Sequence, residues 1–117
     1  MKDEEMSDEE FDNFVHENPS VALIRCLYEL TEEQFDYCVH EDPYFVLKYC
    51  AGELTPEQLD YCVHELPWLA LIYCVDKLNK KQFDYCVHEH PETALKYCAD
   101  KLTNEQKKYC EVKKQND

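Results

Sequence analysis

The pattern of apolar and polar positions along this chain repeats every 12 residues. Within each block the apolar residues lie three and four positions apart, which is the spacing of one face of an amphipathic α-helix. One block has such a stripe at Leu59, Cys62 and Val63. The block that follows it has Ala70, Leu71, Cys74, Val75 and Leu78, and the positions 24 residues later are Ala94, Leu95, Cys98, Ala99 and Leu102. The pattern predicts one short helix with its turn in every block.

The helix boundaries are marked by two alternating signals. One set of blocks begins with capping boxes, in which an N-cap side chain is followed three residues later by Glu or Gln. The pairs are Ser7–Glu10, Thr31–Gln34, Thr55–Gln58, Asn79–Gln82 and Thr103–Gln106. The other set begins at Pro19, Pro43, Pro67 and Pro91, because proline suits a first helical position and pushes the preceding residue out of helical geometry.

Two blocks form one helical hairpin, and the hairpin repeats along the chain. The segment from Phe11 to Pro19 recurs as Phe35 to Pro43, Leu59 to Pro67 and Phe83 to Pro91, which defines a 24-residue repeat. This repetition predicts an all-α fold, a short two-layer α-solenoid of about nine helices of about ten residues each, with each hairpin contacting mainly its neighbours.

We expect a single domain with atypical first and last repeats. Residues 1–6 form an acidic tail and residues 7–30 an N-terminal capping repeat. Residues 31–54, 55–78 and 79–102 are central repeats, and residues 103–117 form a C-terminal capping helix.

The segment from Thr55 to Trp68, TPEQLDYCVHELPW, resembles the leucine-rich variant repeat, a HEAT-like helical repeat of the same length as the hairpin of this chain. The shared features are a Thr-Pro helix start, an apolar run and an x-Pro-Trp hinge, and the resemblance covers about residues 7 to 110. The Tyr-Cys pair and the central histidine depart from that family. The family's second segment is often a 3₁₀ helix, whereas here the second block predicts a regular α-helix. The resemblance implies an interaction scaffold and assigns no functional residue.

The chain has 26 acidic and 12 basic side chains, which gives a formal net charge of −14. Because Lys and Arg supply most of the affinity for nucleic acids and anionic lipids, this charge disfavours direct binding to either. The longest apolar run, Trp68 to Val75, is far too short to span a bilayer. The acidic N-terminal residues lack the basic and apolar regions of a signal peptide, so we expect a cytoplasmic protein with reduced thiols.

Eight cysteines recur at 12-residue intervals, from Cys26 to Cys110. This spacing places one thiol on the apolar stripe of each helix, where cysteine acts as a small hydrophobe. Metal sites usually contain closely spaced ligands such as C-x₂-C, and disulfide frameworks are typical of small secreted chains. We therefore favour a packing role and predict no cofactor, with a redox or disulfide role and metal binding as alternatives.

Histidines and tyrosines also recur once per repeat. His16, His40, His64 and His88 each follow an aspartate by four residues, which places both side chains on one helix face near its C-terminus. We favour a capping role for them, with a binding face and metal or acid/base chemistry as alternatives.

Tyrosines lie off the centre of the apolar stripe, where they suit either packing between repeats or a partner-binding surface. The series is Tyr37, Tyr49, Tyr61, Tyr73, Tyr85, Tyr97 and Tyr109. Tyr44 and Trp68 lie one residue beyond hinge prolines and are possible anchors. The candidate partner-binding residues are Tyr37, Tyr61, Tyr85, His40, His64, His88, Asp36, Asp60, Asp84 and Trp68.

No catalytic motif emerges, since the chain has one glycine, Gly52, and no nucleophile signature. We therefore expect a non-enzymatic helical-repeat scaffold that binds another protein. The alternative is an acidic nucleic-acid mimic, of the kind that phages direct against host defence nucleases, and a third is a thiol-based redox or metal-binding module. The mimic depends on carboxylates that recur in each repeat: Asp12, Asp36, Asp60, Asp84, Glu17, Glu41, Glu65 and Glu89.

Residues 1–20 contain eight acids and one lysine, whereas residues 101–117 contain five lysines and three acids. Opposite charges at the two ends favour end-to-end pairing. The sequence is compatible with a monomer or an end-to-end homodimer.

Overall fold

A computed structural model describes residues 6–116, so the expected acidic tail lies outside the described residues except for Met6. All regular structure in the described part of the chain is helical. The α-helices are α1 (Asp8–Glu17), α2 (Pro19–Arg25), α3 (Glu32–Glu41), α4 (Pro43–Tyr49), α5 (Pro56–Glu65), α6 (Pro67–Tyr73), α7 (Lys80–Glu89), α8 (Pro91–Tyr97) and α9 (Asn104–Asn116). Four 3₁₀ turns follow the second helices at Leu27–Glu29, Ala51–Glu53, Val75–Lys77 and Ala99–Lys101.

The first helix of each hairpin begins at a capping box, as predicted. In α5, the Thr55 hydroxyl accepts from the Gln58 N–H at 3.1 Å, and the Gln58 side chain accepts from the Thr55 N–H at 3.0 Å. The same reciprocal pair opens α1, α3, α7 and α9. These bonds satisfy amide groups that have no partner within the helix.

The second helices also begin where predicted, at Pro19, Pro43, Pro67 and Pro91, but they are shorter than expected. Each has seven α-helical residues rather than about ten, and a 3₁₀ turn completes the block. Cysteine ends the α-helix, since Cys74 and Cys98 have φ near −130° and ψ near 20°, outside helical geometry. The predicted regular α-helix of the second block is therefore wrong over its last turn.

The buried thiol at the end of α6 and of α8 contacts the preceding second helix. The Cys98 Sγ donates to the carbonyl of Leu71, 27 residues earlier, at 3.3 Å, and the Cys74 Sγ donates to the carbonyl of Leu47 at 3.2 Å. These carbonyls lie in the last turn of the preceding second helix, where carbonyls lack intrahelical partners. Cysteine therefore supplies a weak hydrogen-bond donor that alanine would not, in addition to its small volume.

The chain divides into two compact units between Val46 and Leu47, within α4. In the first unit, α1 contacts α2 and α3, and α2 also contacts α3. In the second unit, the first helices contact one another in order (α5 with α7, α7 with α9), and so do the second helices (α6 with α8). This arrangement confirms the predicted all-α, two-layer helical-repeat fold within the second unit.

The apolar stripes form the core, and all eight cysteines are buried and free. The core of the second unit is built from α5 to α9 and contains Val63, Ala70, Leu71, Cys86, Val87, Ala94, Cys98, Leu102 and Cys110. The predicted stripe was wrong at Ala99, which is exposed because it lies in a 3₁₀ turn beyond the end of α8.

Candidate protein-binding surface

The aspartate and histidine of each first helix form the expected contact across one helical turn. The His64 Nδ1 lies 2.8 Å from the Asp60 backbone carbonyl and 3.6 Å from the Asp60 carboxylate. Since a carbonyl oxygen only accepts, Nδ1 carries the proton in this hydrogen bond. The equivalent pairs in the other first helices are Asp12–His16, Asp36–His40 and Asp84–His88.

A tyrosine of the next first helix then packs on the histidine ring. The ring centroids of His64 and Tyr85 are 4.6 Å apart, and those of His88 and Tyr109 are 4.4 Å apart. The Tyr109 hydroxyl also donates to the His88 backbone carbonyl at 3.3 Å. In the first unit, Tyr37 makes both contacts with His16, at 4.3 Å between the rings and 3.2 Å from hydroxyl to carbonyl. These tyrosines therefore join successive repeats.

A glutamine adds a second link between successive first helices. The Gln82 Nε2 donates to the Asp60 carboxylate at 3.1 Å, while the same side chain completes the capping box of α7. Gln34 donates to Asp12 and Gln106 to Asp84 in the same way. We call this Asp, His, Tyr and Gln set the inter-repeat ladder. The capping glutamine therefore completes the capping box of its own helix and also binds the preceding first helix, and only the first of these roles was predicted from the sequence.

The inter-repeat ladder includes many of the predicted partner-binding residues. Asp60, His64, Asp84, His88, Tyr37 and Tyr85 contact a neighbouring repeat through it. In α3, Asp36 and His40 form the same intrahelical pair, and Tyr61 in α5 is half-buried. The histidines and aspartates stay exposed, but their contacts hold repeats together, which favours the structural interpretation of these residues.

We expect His64 and Tyr85 to be energetically coupled. A double-mutant cycle of His64→Ala and Tyr85→Ala should give a coupling energy of about 0.5–1.5 kcal/mol in urea unfolding, because each ring loses its packing partner. A control cycle that combines His64→Ala with Tyr97→Ala, on the other helix layer, should give a coupling near zero. Equal coupling in both cycles would contradict a specific ring contact.

The tyrosines of the second helices lie in a different environment. Tyr49, Tyr73 and Tyr97 expose 63%, 46% and 51% of their surface. The Lys48 Nζ lies 5.3 Å from the Tyr49 ring centroid and 5.7 Å from that of Tyr73, so one lysine is within reach of the rings of two successive second helices. We call Lys48, Tyr49, Tyr73, Lys96 and Tyr97 the lysine–tyrosine strip.

The lysine–tyrosine pair of α4 recurs in α8, whereas in α6 an isoleucine, Ile72, precedes Tyr73. The Lys96 Nζ lies 5.3 Å from the Tyr97 ring centroid, within the range of cation–π attraction. Trp68, at the start of α6, is also exposed. Tyr49, Tyr73 and Tyr97 are absent from the predicted site, although no aspartate precedes them as one precedes Tyr37, Tyr61 and Tyr85 in the first helices.

The buried thiols are poorly reactive at neutral pH. Burial raises the pKa of Cys62 and Cys86 from 9.0 to about 12 and, together with Asp42 and Glu41, that of Cys38 to about 11. A raised pKa keeps a thiol protonated at neutral pH, and the thiolate is the reactive form. Among residues 6–116, no group of three or more His, Cys, Asp or Glu side chains is arranged to hold a metal ion.

No protein-family model, curated protein or solved structure matches this chain. Within the described residues, no helix is both long and apolar enough to span a membrane. In the part of the chain that the structure describes, the inter-repeat ladder and the lysine–tyrosine strip both repeat polar and aromatic side chains, but the tyrosines of the strip are the more exposed.

Proposed function

We propose that this chain is a non-enzymatic helical-repeat scaffold that binds another protein through the lysine–tyrosine strip. The observation that carries the proposal is the exposure of Tyr49, Tyr73 and Tyr97, each between 46% and 63%. Tyrosine is enriched at protein interfaces because its ring buries a large apolar area while the hydroxyl stays hydrated. A scaffold of this kind would act in the cytoplasm, where its thiols stay reduced.

The repeat architecture supports a binding role. Stacked helical hairpins build extended surfaces on which equivalent positions recur at a fixed interval. The finer resemblance of residues 55–68 to the leucine-rich variant repeat, a scaffold family, points the same way. The strip also differs from the inter-repeat ladder, because its tyrosines are more exposed than Tyr37, Tyr61 and Tyr85.

Affinity capture followed by titration with the captured protein tests the proposal. The triple variant Tyr49→Ser/Tyr73→Ser/Tyr97→Ser should bind at least about tenfold more weakly than the wild type, since exposed aromatic anchors contribute most of the energy at interfaces. Tyr28→Ser is the matched control, because Tyr28 is 86% exposed but lies outside the strip. Circular dichroism should show that both variants fold. Wild-type affinity in the triple variant would exclude the strip as the binding surface.

The acidic nucleic-acid mimic is a second candidate, favoured by the exposed glutamates Glu17, Glu41, Glu65 and Glu89 near the ends of the first helices. Its aspartates are a weaker argument, because those of the inter-repeat ladder accept glutamine amides. For the mimic we expect binding that weakens steeply with added salt and is displaced by DNA. Binding through the strip should persist in salt and resist DNA.

A further inference from the structure

The inter-repeat ladder has a fixed direction. A glutamine at the start of α3, α7 and α9 donates to an aspartate 22 residues earlier, as Gln34 does to Asp12 in the first unit and Gln106 to Asp84 in the second. The same glutamine uses its Oε1 to accept from the N-cap N–H, at 2.9 Å in both α3 and α9. The oxygen therefore faces the helix start, and the amide nitrogen faces the preceding helix.

At two positions of the ladder the donor and acceptor are exchanged. In α1 the glutamine position is occupied by Glu10, whose Oε1 accepts from the Ser7 N–H at 3.2 Å. Its second carboxylate oxygen consequently takes the place of the glutamine amide nitrogen. In α9 the aspartate position is occupied by Lys108, which continues the series Asp12, Asp36, Asp60 and Asp84 at 24-residue spacing. A donor has become an acceptor in α1, and an acceptor has become a donor in α9.

We propose that two copies of this chain associate head to tail, with α1 of one copy on α9 of the other in the register of the repeat. In this register, Glu10 of one copy lies opposite Lys108 of the other, in the relation that Gln106 has to Asp84 within a chain. Glu10 facing an aspartate would be repelled, whereas Glu10 facing Lys108 forms an ion pair. Both side chains belong to exposed residues.

The two terminal helices also carry opposite overall charge. The first turn of α1 carries Asp8 and Glu9 beside Glu10, whereas α9 carries the exposed lysines Lys107, Lys108, Lys113 and Lys114 against two exposed glutamates, Glu105 and Glu111, which lie three residues to either side of Lys108. Opposite surface charge steers association and fixes its register. Such a contact uses different surfaces on the two copies, so it extends to further copies unless it closes into a ring.

An apolar position on α9 is also left uncovered. Val112 occupies in α9 the position that His64 and His88 occupy in α5 and α7, and it is 47% exposed. In the register of the repeat it faces α1 of the second copy, as His88 faces α9 within a chain. Covering Val112 would add apolar burial to the ion pair, which alone contributes little at an exposed site.

Sedimentation velocity on the full chain, over a wide concentration range at low ionic strength, tests the proposal. We expect the wild type to show concentration-dependent growth beyond the monomer that decreases as salt is added. Glu10→Lys and Lys108→Glu should each weaken self-association at least about tenfold, because each variant places like charges opposite each other. A wild type that stays monomeric throughout would overturn the proposal.

Mixing the Glu10→Lys and Lys108→Glu variants tests the proposed register directly. The lysine introduced by Glu10→Lys meets the glutamate introduced by Lys108→Glu, so the mixture should regain the association that each variant alone has lost. Glu9→Lys is the matched charge control, because the equivalent position in α7 is already lysine, Lys81. Glu10→Gln, which preserves the capping box, should also weaken association. No recovery on mixing, or equal loss in Glu9→Lys, would show that this register is wrong.

Discussion

Raising the pH from about 8 to about 11 is expected to destabilise this protein through its buried thiols. The pKa of Cys62 and of Cys86 is about 12 in the folded chain, against 9.0 for an ordinary thiol, because burial disfavours the thiolate. The unfolded chain therefore releases these protons first as the pH rises. Each thiol should lower the free energy of unfolding by about 1–3 kcal/mol over this range.

The loss of stability at high pH follows from the upward direction of the thiol pKa shifts. Below about pH 8 nearly all of these thiols are protonated in both states, so the folded chain keeps its full stability. Between pH 9 and 12 the unfolded state alone becomes ionised, and stability is lost progressively. Cys38, with a pKa of about 11, contributes in the same direction over a narrower range.

Urea unfolding at several pH values, followed by circular dichroism, measures this effect. The variant Cys62→Ala/Cys86→Ala should be less stable at about pH 8, because it loses packing, yet its stability should fall less as the pH rises. The two proteins share all their other titratable side chains, so the contribution of those groups cancels in the comparison. If the free energy of unfolding fell equally with pH in the two proteins, the ionisation of Cys62 and Cys86 would not be the cause of the loss.

The start of every helix was predictable because its cause is local in the sequence. Thr55 and Gln58 lie within one turn of each other, and Pro67 fixes its own backbone, so these signals do not depend on tertiary contacts. The end of α6 was not predictable in this way. It falls at Cys74, with the backbone geometry that also ends α2 at Cys26, and no proline or glycine near Cys74 marks this end in the sequence.

The candidate surface was harder to predict than the helices. Tyr-Cys pairs recur every 12 residues from Tyr37 to Cys110, so their spacing alone does not separate the two tyrosines of a hairpin. Tyr85 covers His64 of the preceding repeat, whereas Tyr73 lies in the other helix layer and stays exposed. This difference depends on contacts between successive repeats, which helical periodicity within one block does not contain.

Leu71→Ala is expected to lower the free energy of unfolding by about 2–5 kcal/mol, as large-to-small changes in well-packed cores do. Leu71 is buried in the second unit, in the same core cluster as Val63 and Val87 from the other helix layer. Its helix, α6, contacts α5, α7 and α8, so the cavity lies where several helices meet. Urea unfolding measures the loss.

Leu95→Ala is the matched control, since Leu95 occupies the same position one repeat later but is only half-buried. A cavity that opens partly to solvent leaves less unfilled volume and removes fewer contacts, so its cost should be about half or less. Because repeats are stabilised by their neighbours, Leu71→Ala should also broaden the urea transition, whereas Leu95→Ala should leave its slope unchanged. Equal losses for the two variants would mean that the core is not centred on α6.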